Sequence, residues 1–346
     1  MPELRYNRLN DTWVIISKER AKRPHDYPLI WEDKKKVDKK SCPFEPGHEH
    51  LTPPEVFAIR DPGTKPDQPG WKVRIIPNKF PALKPSEPFF RTSEAIHDLM
   101  GGYGFHEVII DTPDHEKHIN DFSVEDLVLM FTAYRERMRQ IYSERNIYYV
   151  QIFKNHGKEA GKSLYHSHSQ LIALPRIPKR VETQIKQCRH YYREKERCLL
   201  CDEVSFELRE GVRVVHDNDH FIVYTPFASA FPFELKIVPK IHSDDFPSID
   251  DDMIFSLSEA VRVAVRKLDR LLKNPPFNMM LHTSPPRRDL PYDPDYFYQM
   301  DRLFHWYVEI FPRMAIHAGF ELGTEFFINP TPPEDAAKYL REINID

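Results

Sequence analysis

One segment of the sequence, SLYHSHSQLIALP at 163–175, contains residue types at a spacing that could support chemistry. His166, His168 and Gln170 stand at every second position, and alternate residues of a β-strand point to the same face. The spacing therefore predicts that these three side chains project together from one strand. Two adjacent imidazoles can be metal ligands, an acid–base pair, or a nucleophile and its support. They can also be core histidines with satisfied hydrogen bonds.

A polar loop, FKNHGKEAGKS at 153–163, precedes this strand. Its backbone N–H groups around Gly157 and Gly161, together with the Ser163 hydroxyl and the Lys162 ammonium, could hold phosphate oxygens. Ordinary surface loops have a similar composition, so the loop alone does not specify a function.

Helices and strands must position these residues, and the same order of predicted helices and strands occurs twice along the chain. In the first half, SVEDLVLMFTAYRERMRQIYSER has the spacing of an amphipathic helix, with Ser123 and Asp126 placed as a capping box. The strands predicted there are WKVRIIPN, HEVIIDTPDH, IYYVQIFKN and YHSHSQLIALP. The second half predicts the helix SIDDDMIFSLSEAVRVAVRKLDRLL and the strands GVRVVHDNDHFIVYTPF, FELKIVPKIH, FNMMLHTSP and FHWYVEIFP.

Alignment of the last strand of each half places His166 opposite His305 and His168 opposite Tyr307. Gln170 then stands opposite Glu309. Five elements in one order indicate a duplication, with a charged helical linker at 176–200. Strand-rich halves with one long helix each predict an α+β fold, in which helices pack on one face of antiparallel sheets.

Composition excludes some classes of function. The chain has 346 residues and a formal net charge of −4, so no global basic field indicates nucleic-acid binding. No run approaches the roughly 20 apolar residues that span a bilayer, and the N-terminus has no apolar signal segment. We therefore expect a cytoplasmic protein with neither nucleic acid nor membrane as a partner.

The four cysteines are Cys42, Cys188, Cys198 and Cys201. A disulfide framework is not expected in a cytosolic chain of this size. The CLLC spacing of Cys198 and Cys201 is one that zinc ligands use.

Several motifs together resemble one family. The motif HSHSQ after an N…G-x-S loop, with CPFEPG, VRIIPNKFPAL, IDTPDH and GFELGTEFFIN, is similar to the galactose-1-phosphate uridylyltransferase family. This is the branch of the histidine-triad superfamily in which H-x-H-x-Q replaces H-x-H-x-H. The serine between the histidines also resembles the ADP-glucose phosphorylases. The resemblance covers nearly the whole chain and implies two tandem histidine-triad-like repeats, 1–175 with the catalytic motif and 176–346 with a degenerate copy.

The resemblance implies ping-pong nucleotidyl transfer with His168 as the nucleophile. The backbone carbonyl of His166 would fix the tautomer of His168, and Gln170 would bind a non-bridging phosphate oxygen. The expected reaction converts UDP-glucose and galactose 1-phosphate into glucose 1-phosphate and UDP-galactose. The alternative is an adenylyltransferase of the ADP-glucose phosphorylase type, with phosphate as the acceptor.

Further contacts are carried over from the family. The residues expected to act on substrate, besides the motif itself, are Ser163, Arg23, Asn78, Asn155, Gly161, Phe320 and Glu325. The family is commonly dimeric, with residues of one subunit completing the site of the other, so a homodimer is expected.

The resemblance also implies two zinc sites. The first would use Cys42, Glu45, His115 and His166, and the second Cys198, Cys201, His242 and His305. Glu45 stands where the family often has cysteine, and a carboxylate is a harder ligand than a thiolate. The first site is therefore expected to bind zinc more weakly or to prefer iron. A separate iron site, with Glu182 and His282, would need two histidines where Tyr307 and Glu309 stand, so it is not expected.

Overall fold

A computed structural model of the chain describes residues 1–17, 24–27, 38–288, 295–315 and 318–345. The described residues of the first half form nine strands and one α-helix: β1 (Glu3–Asn7), β2 (Thr12–Ile16), β3 (Phe57–Arg60), β4 (Trp71–Pro77), β5 (Arg91–Glu94), β6 (His97–Met100), β7 (Phe105–Ile110), α1 (Val124–Tyr142), β8 (Tyr149–His156) and β9 (His168–Leu174).

The described residues of the second half form six strands and six α-helices: α2 (Lys179–Lys195), α3 (Leu199–Glu210), β10 (Val214–Asp217), β11 (Phe221–Tyr224), β12 (Leu235–Pro239), α4 (Asp251–Leu272), β13 (Phe277–His282), α5 (Met300–Leu303), β14 (Tyr307–Pro312), α6 (Gly319–Thr324), β15 (Phe327–Asn329) and α7 (Pro333–Arg341). Short 3-10 helices lie at Pro24–Asp26, Lys39–Ser41, Glu49–Leu51, Ile119–Asp121 and Phe246–Ser248.

Ten strands form one antiparallel sheet in the order β10-β11-β12-β14-β13-β8-β9-β7-β4-β3. From the central pair outward, one side reads β8-β9-β7-β4-β3 and the other β13-β14-β12-β11-β10. The corresponding elements of the two halves therefore occupy equivalent places, which confirms the α+β fold with repeated elements. The sheets of the two halves join into one because β8 pairs with β13.

The two long helices cover the same face of this sheet. Helix α1 begins at a capping box, where Ser123 Oγ accepts the Asp126 N–H at 3.2 Å and Asp126 Oδ2 accepts the Ser123 N–H at 2.7 Å. Asp250 caps α4 in a similar way through the Met253 N–H. The apolar faces of α1 and α4 pack against each other and against the sheet, and they form the largest core cluster.

The opposite face is covered differently in the two halves. In the second half, the segment expected as a charged linker forms α2, which buries Val181, Ile185 and Cys188. Helix α3 packs beside it, so helices lie on both faces of this half. In the first half, the segment around Cys42 and Phe44 covers part of this face, and no α-helix of the described residues lies over it. A cavity therefore remains above β9.

A three-stranded sheet in the order β1-β2-β15 joins the two ends of the chain, with β15 parallel to β2. Strands β5 and β6 form a separate hairpin. Among the described residues, no helix combines the length and the apolar character that crossing a bilayer requires.

Candidate active site and metal-binding groups

His168 opens strand β9 on the face opposite to α1. Its Nδ1 lies 2.9 Å from the backbone oxygen of His166, and its Nε2 lies 3.0 Å from Ser163 Oγ. A carbonyl oxygen can only accept, so this contact assigns the ring proton to Nδ1. Nε2 therefore carries the lone pair, which is the atom that a nucleophilic imidazole must present.

The surroundings of His168 keep the ring neutral. The residue is 4% exposed, and the Phe44 ring packs edge-on at 5.6 Å. Burial lowers the pKa of His168 to about 4, and the neighbouring Lys154 ammonium acts in the same direction. The ring is thus unprotonated across the physiological pH range.

The predicted alternation along β9 places the serines on the other face. Lys154 Nζ donates to Asp111 Oδ2 at 2.6 Å, to Ser167 Oγ at 2.9 Å and to the backbone oxygen of His168 at 3.2 Å. Ser169 Oγ donates to Asp111 Oδ1 at 2.9 Å. This buried network holds the backbone of His168 from behind, and it was not foreseen from the sequence.

A cavity of about 510 Å³ lies in front of His168. Its walls are mainly apolar, and its polar residues are Thr52, Asn78, Lys79, Ser163, His168 and Gln170. The apolar lining residues are Pro43, Phe44, Leu51, Pro53, Ile76, Pro77, Phe80, Val108 and Leu164. An apolar cleft with few convergent polar groups is typical of a small-molecule site.

The loop between β8 and β9 is held by a residue of the second half. Asn155 Nδ2 lies 3.5 Å from the backbone oxygen of Gly161, whose φ of +86° favours glycine. Asn278, on β13, donates to Asn155 Oδ1 at 2.8 Å and to the backbone oxygen of Ala160 at 2.9 Å. The loop that delivers Ser163 to His168 is therefore anchored across the central strand pair.

The first predicted group of metal ligands converges. Donor atoms of Cys42, Glu45, His115 and His166 all lie within 4.8 Å of one another. Cys42 Sγ is 3.6 Å from His166 Nδ1, and Glu45 Oε2 is 3.2 Å from His115 Nδ1. Tetrahedral zinc, with bonds of about 2.0–2.3 Å, places its ligand atoms roughly 3.3–3.7 Å apart.

A hydrogen bond to a residue outside this first group of metal ligands orients His166. His166 Nε2 donates to the backbone oxygen of Thr112 at 2.7 Å, so Nδ1 presents its lone pair to the other ligands. Glu45 Oε2 is buried and accepts no hydrogen bond from the described residues. A buried carboxylate oxygen among one thiol and two imidazoles fits a bound divalent cation.

The second predicted group converges in the same way. Donor atoms of Cys198, Cys201, His242 and His305 lie within 4.8 Å of one another. Cys201 Sγ is 3.3 Å from His242 Nδ1 and 3.5 Å from His305 Nδ1. His242 Nε2 donates to the backbone oxygen of Asp301 at 2.9 Å, which leaves Nδ1 to face the thiols. Two thiols and two imidazoles form a ligand set typical of structural zinc.

At the place equivalent to His168 and Gln170, the second half has a closed cluster. Glu309 Oε2 contacts His282 Nε2 at 3.0 Å and accepts from Arg180 at 2.8 Å. Burial alone would raise the pKa of Glu309, but Arg180 and His282 hold it below its usual range. The His282 ring stacks on Tyr307. Arg180 therefore occupies the Glu309 carboxylate that the separate iron site would need.

Two predicted substrate residues in the described part of the chain are not brought to the His168 cavity. Arg23 lies outside the described residues. Phe320, on α6, is 47% exposed, and Glu325 lines a separate cavity of about 450 Å³ between the N-terminal strands and the second half. Neither Phe320 nor Glu325 is among the residues that line the His168 cavity.

The site also contains a histidine that sequence reasoning missed. His106 Nε2 lies 3.0 Å from Gln170 Oε1 and 3.1 Å from Asn78 Nδ2, so His106 joins two predicted residues. The available signal was its place in the strand segment HEVIIDTPDH. The register of β7 on β9, with Val108 opposite Gln170, is what brings His106 to this face.

The chain is similar to known proteins over nearly its whole length. The family model described as galactose-1-phosphate uridyl transferase, N-terminal domain, matches residues 1–178, and the model of the C-terminal domain matches residues 184–344. ADP-glucose phosphorylase of Arabidopsis thaliana is 36% identical over 353 residues, which cover 99% of this chain and 93% of that protein. Galactose-1-phosphate uridylyltransferase of Thermotoga maritima is 32% identical over 359 residues, which cover 100% of both chains.

Solved structures are similar over the full chain as well. The crystal structure of an Arabidopsis thaliana ADP-glucose phosphorylase with bound ADP-glucose superposes with a TM-score of 0.82 at 34% identity, covering 100% of both chains. A uridylyltransferase structure superposes with a TM-score of 0.73 at 27% identity, covering 99% of this chain and 97% of that one.

Proposed function

Because the chain belongs to the galactose-1-phosphate uridylyltransferase family, we propose that it is a nucleotidyltransferase that works in two steps through His168. In the first step, Nε2 of His168 bonds to the α-phosphorus of UDP-glucose, and the bond from that phosphorus to the bridging oxygen breaks. Glucose 1-phosphate leaves with that electron pair. In the second step, a phosphate oxygen of galactose 1-phosphate attacks the same phosphorus, so UDP-galactose forms and His168 is restored.

The single observation that carries this proposal is the state of His168. A buried ring with its proton held on Nδ1 by the His166 carbonyl, and with a pKa of about 4, is a neutral nucleophile at physiological pH. Ser163 Oγ lies 3.0 Å from Nε2, on the side from which the phosphorus would approach the lone pair. When a phosphoryl group takes that place, the Ser163 hydroxyl is positioned to donate to one of its oxygens.

The other residues of the cavity have binding roles in this proposal. The Gln170 amide donates to a non-bridging oxygen of the transferred phosphoryl group, and it is neutral, so it does not serve as an acid for hydrolysis. Asn78 contacts the nucleoside among the apolar walls of the cavity. Asn155 supports the loop whose backbone at Gly161 faces the phosphates.

A second candidate function transfers an adenylyl group instead, with phosphate as the acceptor. It is favoured by the 36% identity to the Arabidopsis ADP-glucose phosphorylase and by the similarity to the structure of that enzyme with ADP-glucose. The covalent step on His168 is the same in both reactions. The two functions differ in the base that the cavity accepts and in the acceptor.

The proposal extends to metals and assembly. We assign zinc to the group of two thiols and two imidazoles, and zinc or iron to the group that contains Glu45, because the donor sets fit these ions. When bound, such ions cross-link loops beside the sheet.

We also propose a cytoplasmic homodimer, in which Phe320 and Glu325 of one subunit complete the His168 cavity of the other.

The proposed function is tested by mixing the enzyme with UDP-glucose, UDP-galactose or ADP-glucose in the absence of an acceptor, followed by mass spectrometry of the intact protein. A uridylyl adduct that galactose 1-phosphate removes supports the first function. An adenylyl adduct that phosphate removes supports the second. If none of the three donors leaves an adduct, both functions are wrong.

A further inference from the structure

His106 makes three contacts that together define its protonation. Its Nδ1 accepts the backbone N–H of Ala82 at 3.1 Å. Its Nε2 lies 3.0 Å from Gln170 Oε1 and 3.1 Å from Asn78 Nδ2. The backbone N–H can only donate, so Nδ1 must be the nitrogen without a proton.

The neutral ring then carries its proton on Nε2. That proton finds its acceptor in Gln170 Oε1, because Asn78 Nδ2 is itself a donor. The orientation of the Asn78 amide is set independently, since its Oδ1 accepts the Phe80 N–H at 2.9 Å. The contact between Asn78 Nδ2 and His106 is therefore not a hydrogen bond in this tautomer.

This arrangement has a consequence for both amides. Gln170 Oε1 accepts the hydrogen bond from His106, so the Gln170 Nε2 group is the part of the amide that is available to a ligand. Within the described residues, Gln170 Nε2 makes no hydrogen bond, and Asn78 Nδ2 has no acceptor. Both residues line the cavity in front of His168. Two amide donors are thus held ready in the same cavity.

The second half shows what happens without this arrangement. In the first half, Val108 lies opposite Gln170, and His106 stands two residues before Val108. In the second half, Lys236 lies opposite Glu309, and Glu234 stands two residues before Lys236. Glu234 and Glu309 therefore occupy the places equivalent to His106 and Gln170, so a carboxylate stands where the first half has the His106 imidazole.

We propose that His106 is a positioning residue for nucleotidyl transfer, which orients the Gln170 amide so that its N–H groups face the transferred phosphoryl group. The proposal rests on the proposed function of His168. Without His106, both orientations of the Gln170 amide become accessible, and one of them turns a carbonyl oxygen toward an anionic phosphoryl group. A single donor of this kind is worth up to about 10²–10³ in rate, so partial misorientation should cost about tenfold or more.

The test measures the rate of adduct formation on His168 over a range of nucleotide-sugar concentrations, which gives the rate at saturation and KM separately. His106→Leu removes the donor and fills the same space, and it should slow adduct formation at least about tenfold with little change in KM. His106→Gln keeps an N–H donor near the place of Nε2 and should recover most of the lost rate. Circular dichroism and thermal melting exclude unfolding as the cause.

A double-mutant cycle separates positioning from a merely structural role. If His106 acts through Gln170, then His106→Leu should have almost no further effect in a Gln170→Ala background. Equal rates for wild type and His106→Leu would overturn the proposal, and so would an undiminished effect of His106→Leu in the Gln170→Ala background. A wild-type enzyme that forms no adduct with any donor contradicts the proposed function itself, which is a distinguishable outcome.

Discussion

The two halves of the central sheet carry the same supporting histidine and different groups beside it. In the first half, His168 and Gln170 follow His166 at alternate positions, and in the second half Tyr307 and Glu309 follow His305. The metal-binding groups differ at one matched position, where Glu45 corresponds to Cys201. Because the backbones are equivalent, the two halves show which side chains separate an active site from a structural copy of it.

The two halves differ in whether the polar side chains at these equivalent places have hydrogen-bond partners within the protein. In the second half, Glu309 is satisfied by Arg180 and His282, and the Tyr307 hydroxyl accepts from Gln184 Nε2 at 2.9 Å. In the first half, the Gln170 and Asn78 amide nitrogens have no acceptor among the described residues. Polar groups near a cavity that lack partners are available for a substrate, whereas satisfied groups stabilise the fold.

The largest expected effect is the loss of the covalent adduct on replacement of His168, with no such loss on replacement of Tyr307 at the equivalent position. His168→Gly should abolish the covalent adduct, because no other imidazole replaces the attacking nitrogen. The matched variant Tyr307→Phe should form the adduct at nearly the wild-type rate and lose about 1 kcal/mol of stability with the bond to Gln184. Intact-protein mass spectrometry and thermal melting measure the two effects. Adduct formation by the His168→Gly protein would contradict the comparison.

Exchange of the unlike metal ligands should have the next largest effect. Glu45→Cys gives the first group the thiol of the second, and Cys201→Glu makes the reciprocal change. Thiolate is a softer ligand, so Glu45→Cys should increase zinc retention, and Cys201→Glu should decrease it and lower the melting temperature by several degrees.

Metal analysis after dialysis against a graded series of chelator concentrations gives zinc per chain for each variant. The wild type is the control, and its first group should lose metal before its second. Loss in the opposite order would show that the Glu45 group is not the weaker one.

A smaller effect is expected at the contact between the halves. Asn278→Ala removes the bonds that hold Asn155 and the backbone oxygen of Ala160, so Ser163 should be less well placed. One or two lost bonds correspond to about 1–2 kcal/mol, and we expect adduct formation to slow about tenfold.

The duplication supplies a matched control for that variant. Gln151 occupies the equivalent place on β8 and donates across the same strand pair to the backbone oxygen of Leu281 at 2.9 Å, away from the loop. Gln151→Ala should reduce stability by a similar amount and leave the rate nearly unchanged. If both variants slow the reaction equally, the loop anchor is not specific.

The smallest change is expected from pH. An ordinary histidine has a pKa of about 6.5, whereas burial lowers the pKa of His168 to about 4. The single-turnover rate should therefore change less than about twofold between roughly pH 7 and pH 5, and fall as the pH approaches 4. A fall centred near pH 6.5 would contradict the buried state of the nucleophile. Metal content must be measured at each pH as a control.

The lowered pKa of His168 also makes the stability of the fold sensitive to acid. The pKa of His168 is lower in the folded chain than in the unfolded chain, and burial lowers the pKa of His156 to about 3. The unfolded chain therefore binds more protons than the folded chain between about pH 6.5 and 4, so the free energy of unfolding should decrease as the pH falls through that range. Denaturant titrations at several pH values measure this slope.

Local patterns accounted for much of the fold. The capping box at Ser123 and the alternation of His168 and Gln170 depend on neighbours in the chain, and both appear as predicted. The strand begins at His168, however, so His166 lies just before it and not within it as predicted. The place of α2 was not predicted, because a charged helix with a narrow apolar stripe can be a solvated linker or a packed element. What decides the place of α2 is the apolar cluster that it forms with α3 and with this face of the sheet.

The sequence by itself determined the order of the elements, the duplication and the residue types of the reacting strand, because periodicity and capping are properties of consecutive residues. Only the tertiary structure decided that Lys154 supports the His168 backbone from behind, that Asn278 of the other half anchors the loop that carries Ser163, and that His106 contacts Gln170. Each of these contacts depends on strand register across the sheet. Register places side chains together that are tens of residues apart, which no local pattern encodes.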